Sequence, residues 1–81
     1  MWFVYILLCE DGSFYCGSTN NLAKRFAAHQ VGKGGKYTKS HPVVKLIYSE
    51  QFTEKSAALK REMEIKSWRR EQKIKNLKLK Y

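Results

Sequence analysis

Apolar and aromatic side chains fill residues 2–8 without a break (WFVYILL). Their β-branched and aromatic character predicts a strand buried on both faces. Glu10, Asp11 and Gly12 follow as a turn signal, and residues 13–19 (SFYCGST) predict a second strand, which makes a hairpin. Ser18, Thr19 and Asn20 are capping residue types ahead of a helical pattern. Leu22, Phe26 and His29 recur at i, i+4 and i+7, so a helix is expected to run to about Val31, with Gly32 as its stop. Residues 32–42 (GKGGKYTKSHP) form a basic, glycine-rich connector. Residues 43–49 (VVKLIYS) predict a third strand. Thr53 is placed to cap a second helix, with Glu54 in its first turn and its end near Trp68. A last short helix turns Ile74 and Leu77 inward. The order is β-β-α-β-α-α. It predicts one α+β domain over residues 1–81, a small three-stranded, mostly antiparallel sheet flanked by about three helices.

The hairpin loop decides which residues share a face. A two-residue Asp11-Gly12 loop pairs 8 with 15 and puts Tyr5 and Tyr15 on opposite faces. A three-residue Glu10-Asp11-Gly12 loop pairs 7 with 15 and 5 with 17, and both tyrosines then share a face. Gly12 supplies the left-handed residue with which such a loop ends, so the longer loop is the expected one. Gly17, opposite Tyr5, is then expected to leave open space for the approach of a ligand.

Charge adds a partner to this picture. Sixteen Lys and Arg face seven Asp and Glu, a formal net charge of +9 on 81 residues. No carboxylate lies between Asp11 and Glu50, a stretch holding Lys24, Arg25, Lys33, Lys36, Lys39 and Lys45. From Glu54 onward there are ten basic and four acidic residues, a local net of +6. Two basic segments of this kind point to a polyanion, and a fold that joins them would make one footprint for phosphates. A membrane is excluded as partner by the shortness of the apolar run, against roughly 20 residues for a span. The expected setting is cytoplasmic, with Cys9 and Cys16 reduced core residues.

The carboxylates are too scattered for a two-metal cluster. Glu10 and Asp11 are turn residues, Glu50 and Glu54 flank a loop, and Glu64 and Glu71 lie on polar faces. Glu62 differs: it stands i+4 from Ala58 and i−3 from Ile65, on or beside the apolar stripe of its helix. A carboxylate there requires a partner, and either a metal or a salt bridge to Arg25 or a neighbouring lysine meets that need. Arg25 and His29 are spaced i, i+4 and face one direction, His29 continuing the Leu22–Phe26 stripe. The GKGG segment lacks the spacing and ending of a phosphate-binding Walker loop.

Phe3-Val4-Tyr5, followed ten residues on by Tyr15-Cys16-Gly17, resembles the paired motif of the GIY-YIG nuclease superfamily. Arg25 resembles the family's helix arginine, His29 a His or Tyr one turn later, and Glu62 its metal-binding glutamate. The likeness to small stand-alone bacterial members extends over nearly the whole chain, through VYIL, DGS-YCGST, GKGGKYT and A-L-RE-EIK-W. It departs from the pattern at Phe3, where the first motif has glycine, and at Cys16, where an aliphatic residue is usual. Ser18 stands where repair-type members carry lysine, and Asn76 is only a loose counterpart of a later asparagine.

The resemblance implies metal-dependent endonuclease-type hydrolysis of phosphodiester bonds, on DNA before RNA, including branched or damaged forms of it, with one Mg²⁺ or Mn²⁺ held by Glu62. Tyr15 would activate or position the attacking water, with Tyr5 hydrogen-bonding nearby. A free tyrosine titrates near about 10, so a base role requires the cation-rich site or the metal. Arg25 would stabilise phosphoryl charge and His29 assist proton transfer. Lys24, Lys33, Lys36, Lys39, Lys66, Arg69 and Arg70 would contact the nucleic acid. A protein partner would supply targeting. The alternative is a nucleic-acid-binding module that cuts poorly or not at all.

Overall fold

The computed structural model describes residues 1–31 and 41–80. These described residues form six elements: β1 (Trp2–Cys9), β2 (Phe14–Thr19), α1 (Leu22–Gln30), β3 (Val43–Phe52), α2 (Lys55–Ser67) and α3 (Arg70–Asn76). The three strands form one antiparallel sheet in the order β2-β1-β3, so the apolar strand lies in the centre. This is the expected β-β-α-β-α-α architecture.

The hairpin has the three-residue loop. Cys9 N–H donates to Ser13 O, Gly12 N–H donates to Cys9 O, each at 2.9 Å, and Gly12 adopts φ +83°. Asp11 fastens the turn by accepting from the Ser13 amide at 2.9 Å and its hydroxyl at 2.6 Å. The register that follows sets Tyr5 opposite Gly17 and Leu7 opposite Tyr15.

Alternation then splits β1 between two packing layers. Val4 and Ile6, with Cys16 from β2, bury against Ala58 and Ile65 of α2 and Leu77 after α3. Tyr5 turns to the other face, toward α1. Val4, Ile6, Leu7, Ala58 and Ile65 are fully buried. A strand covered on both faces has no place for a polar side chain, which explains the unbroken run WFVYILL.

Three boundaries differ from expectation. α1 is capped by Asn21, whose side chain accepts from Lys24 N–H at 3.1 Å, one residue beyond the predicted group. Thr19 instead accepts the Asn21 amide at 3.1 Å. β3 continues three residues past Ser49, because Glu50, Gln51 and Phe52 pair with Val4, Phe3 and Trp2 at the start of β1. Glu50 is therefore a strand residue and not a loop flank. α2 begins at Lys55 with Glu54 at the N-cap, so Thr53 does not cap it. Gly32 and the GKGG segment lie outside the described residues.

Glu50 has a structural task. Arg61 of α2 grips its carboxylate through Nε, at 3.1 Å to both oxygens, and through Nη2 at 3.0 Å. Tyr48 donates to the same carboxylate, and Arg61 also pairs with Glu64 and lies 5.2 Å from the Trp68 ring centre. Burial, then the bond to Glu50, pushes the Tyr48 phenol up to about 12. This network fastens α2 to β3. Replacing Ile65 by Ala empties the other anchor of α2. The free energy of unfolding in urea is expected to fall by about 2–5 kcal/mol, with the native far-ultraviolet dichroism retained.

Candidate nuclease site

The tyrosine face carries a compact cluster. Tyr5 Oη lies 2.9 Å from His29 Nε2, and both residues are 1% exposed. Tyr15 is half-buried beside them, its ring centre 4.9 Å from His29 and 6.3 Å from Tyr5. The helix spacing explains why His29 arrives here: it continues the inward stripe of α1, and the Tyr5 hydroxyl meets the polar atom that burial would otherwise strand.

Gly17 is not an open space. A Cβ built on it would lie 2.6 Å from Tyr5 Oη and 2.8 Å from Tyr5 Cζ. The missing side chain is filled by the Tyr5 ring itself, so the expectation of room for a ligand is corrected. The glycine serves close packing between two strands of one hairpin.

Burial, reinforced by the Tyr15 charge, raises the Tyr5 pKa, and Arg25 opposes the rise. Burial, with Arg25, depresses the pKa of His29. At neutral pH the pair therefore consists of a protonated tyrosine hydrogen-bonded to a neutral histidine. Arg25 itself is exposed on α1 and acts on both by its charge.

Glu62 approaches from the other layer. Ser18 shares a face with Cys16, away from Tyr15 and Gly17, and its Oγ donates to Glu62 Oε1 at 2.5 Å. Lys66 Nζ, one turn along α2, lies 2.7 Å from Glu62 Oε2. The two groups flank β2, an edge strand, and their charges act across it. Glu62 adds to the upward shift of Tyr5; the Lys66 pKa is raised first by its bond to Glu62, and further by Tyr15. The structure thus joins Tyr5, Tyr15 and His29 in direct contact and sets Glu62 with Ser18 and Lys66 across the strand. Ser18 was not among the residues picked from sequence; its place two residues from buried Cys16 is the signal that aims it at α2.

The basic residues divide in use. Lys24 and Arg69 are exposed, and the Arg69 amide donates to Gln72 Oε1 at 2.9 Å. The Arg70 guanidinium lies 4.0 Å from the Phe14 ring centre and donates to Gly12 O, tying α3 to the hairpin. Lys33, Lys36 and Lys39 lie outside the described residues. Asn76 ends α3 and is exposed.

Among the described residues no three His, Cys, Asp or Glu side chains gather as a metal cage. Glu62 fits a hard cation in another way. Mg²⁺-type ions at phosphate sites take one or two carboxylates and complete the shell with water and substrate oxygens. Glu62 is held in place by Ser18 and is 14% exposed, which suits such a single ligand.

A hairpin bearing paired tyrosines, a helix bearing Arg25 and His29, and a second helix presenting one glutamate define a nuclease-type domain. The profile of the GIY-YIG catalytic domain matches residues 1–76, and the chain belongs to that family. A UPF0213 protein of Staphylococcus haemolyticus is 51% identical over 73 residues, covering 90% of this chain and 89% of its own. One from Limosilactobacillus reuteri is 51% identical over 79 residues, covering 94% and 81%. Among solved structures, the UPF0213 protein of Bacillus halodurans is similar with a TM-score of 0.62 at 38% identity, covering 96% of this chain and 84% of that one. A protein of E. faecalis has a TM-score of 0.64 at 43% identity, covering 94% and 81%. Domains of this family are nuclease-type, act on nucleic acid and are generally metal-dependent. No helix among the described residues is long and apolar enough to cross a membrane.

His29 makes stability depend on pH. Its folded pKa lies below the ordinary 6.5, so the unfolded chain takes up the proton first. The contribution is complete above about 6.5 and is lost as pH falls through the depressed folded value. Urea melts from pH 8 to 5 are expected to show falling stability below about 6.5, and His29→Gln to flatten that slope.

Proposed function

We propose that the domain hydrolyses phosphodiester bonds of nucleic acid, DNA before RNA, using one Mg²⁺ or Mn²⁺ held at Glu62. The observation that carries this reading is the position of Tyr15. It is half-buried, 4.9 Å from the His29 ring centre, and within charge reach of Lys66 beside Glu62. Bound at Glu62, the cation would supply polarisation of the scissile phosphate and stabilise the leaving oxygen.

The residues then divide the work by exposure. Tyr15 is the phenol that can reach a water: it would orient the nucleophile and, once ionised to the phenolate beside the bound cation, take up the proton that the water gives up. Tyr5 is too buried for that and keeps its own proton. It holds the pocket in shape through its hydrogen bond to the neutral ring of His29. Arg25, exposed beside the pair, stabilises charge on the non-bridging phosphoryl oxygens. Lys24, Arg69 and Lys66 supply backbone contacts that strengthen binding at low salt. Branched or damaged DNA is the favoured form of substrate, with targeting left to a partner protein.

A second reading, a nucleic-acid-binding module with little cleavage, draws on the engagement of both Glu62 oxygens by Ser18 and Lys66. Nicking assays on branched and linear duplexes with Mn²⁺ separate the two. Wild-type protein is expected to nick, and Glu62→Ala to fall to background. Equal cleavage by both would sink the enzyme reading. Arg25→Ala is expected to lower turnover about 10²–10³-fold while affinity changes only a few-fold. Unchanged turnover with a matching loss of affinity would leave Arg25 as a phosphate clamp alone.

A further inference from the structure

We propose that Lys66 competes with the divalent cation for the Glu62 carboxylate. A nucleic-acid phosphate, by drawing the ammonium away, then couples binding of the strand to binding of the ion. The inference rests on the reading that Glu62 holds the ion.

The two oxygens of Glu62 are in different situations. Oε1 takes a hydroxyl bond from Ser18, a residue fixed in the sheet, at 2.5 Å. Oε2 faces the Lys66 ammonium at 2.7 Å. An inner-sphere cation on Oε2 would bring a double positive charge within about 4 Å of that ammonium, a repulsion that a half-solvated site does not fully screen. Held on the same oxygen, each therefore weakens the other's hold on it.

Exposure decides which partner moves. The Glu62 side chain is 14% exposed and anchored by Ser18, whereas that of Lys66 is 52% exposed. The lysine stem is a flexible four-carbon chain, so the ammonium can swing while the carboxylate stays. Its new partner is close by. The ammonium is on α2 beside Glu62, across edge strand β2 from Tyr15, so a strand bound along that edge can bring a phosphate within its reach. A phosphate there relieves the loss of the ion pair and leaves Glu62 to the cation. Linkage makes the effect reciprocal: whatever factor the strand adds to ion affinity, the ion adds to strand affinity.

The experiment reads ion binding without turnover. Mn²⁺ is titrated into the full chain and the free ion is followed by its electron paramagnetic resonance signal. Wild type, Lys66→Met, Lys66→Gln and Glu62→Gln are compared, each checked for an unchanged thermal melt. Removing the competing ammonium is expected to tighten Mn²⁺ about five-fold or more in both Lys66 variants. Glu62→Gln is expected to abolish site binding. Adding a short DNA duplex, corrected against a DNA-only blank and checked for intact length, is expected to tighten Mn²⁺ by a larger factor in wild type than in Lys66→Met, and an equal factor in both would overturn the coupling through Lys66. If Glu62→Gln abolishes binding but the Lys66 variants match wild type, the competition is wrong and Glu62 remains the ligand. If Glu62→Gln binds Mn²⁺ as wild type does, the underlying reading of Glu62 fails and the inference with it.

Discussion

Tyr5 stands opposite Gly17 across the hairpin, and its ring occupies the volume a side chain at Gly17 would need. Everything on the α1 side follows from that contact. With the ring lying over the glycine, the hydroxyl reaches His29 and α1 is drawn onto the sheet at that point. The same register puts Tyr15 beside the pair and turns Cys16 and Ser18 to the opposite layer. A slip of one residue would put the two tyrosines on opposite faces and turn Ser18 away from Glu62. The three-residue turn with Gly12 at φ +83° forbids the slip. A local turn thus fixes contacts across both layers.

The second constraint is the docking of α2. Glu62 is useful only if its helix lies at one height and rotation relative to β2. Ile65 and Ala58 fix the rotation by burial, and the Arg61 grip on Glu50 fixes the height. The Arg61–Glu50 pair is partly exposed, 27% and 22%, so it adds little stability against water. Its value is directional, since a guanidinium fork accepts a carboxylate in few orientations. Adjacent residues on one helix therefore differ in kind: Arg61 aims the helix and Glu62 is what it aims.

Much of this was legible in the chain. The length of the turn signal, together with Gly12, was enough to choose the register and to put the tyrosines on one face. The i, i+4, i+7 stripe gave α1 and the inward place of His29. The apolar neighbours of Glu62 marked it as a carboxylate in need of a partner, and a neighbouring lysine is that partner. What escaped depends on contacts between distant residues. Local pattern ends β3 at Ser49, yet the unsatisfied start of β1 extends it to Phe52. Glu50 looked like a loop acid because its partner lies eleven residues away on α2. The role of Gly17 was inverted for a related reason. Its lack of a side chain is visible in sequence, but whether a ligand or a neighbouring ring takes the space is settled by packing.

The two layers meet at β2, and this gives the charge distribution its meaning. One basic segment brings Arg25 to the tyrosine pair from α1. The other brings Lys66 to the same strand edge from α2. Arg25 and Lys66, one from each basic segment, thus share one electrostatic environment around Tyr5 and Tyr15. A carboxylate placed among these cations is held by them and also contested by them. A site meant for a cation–phosphate pair gains from that arrangement. On the proposed reading the lysine would answer the carboxylate charge until substrate arrives, and the phosphate charge afterwards. On that reading neither a bare carboxylate nor a bare ammonium would be left at the edge at any stage.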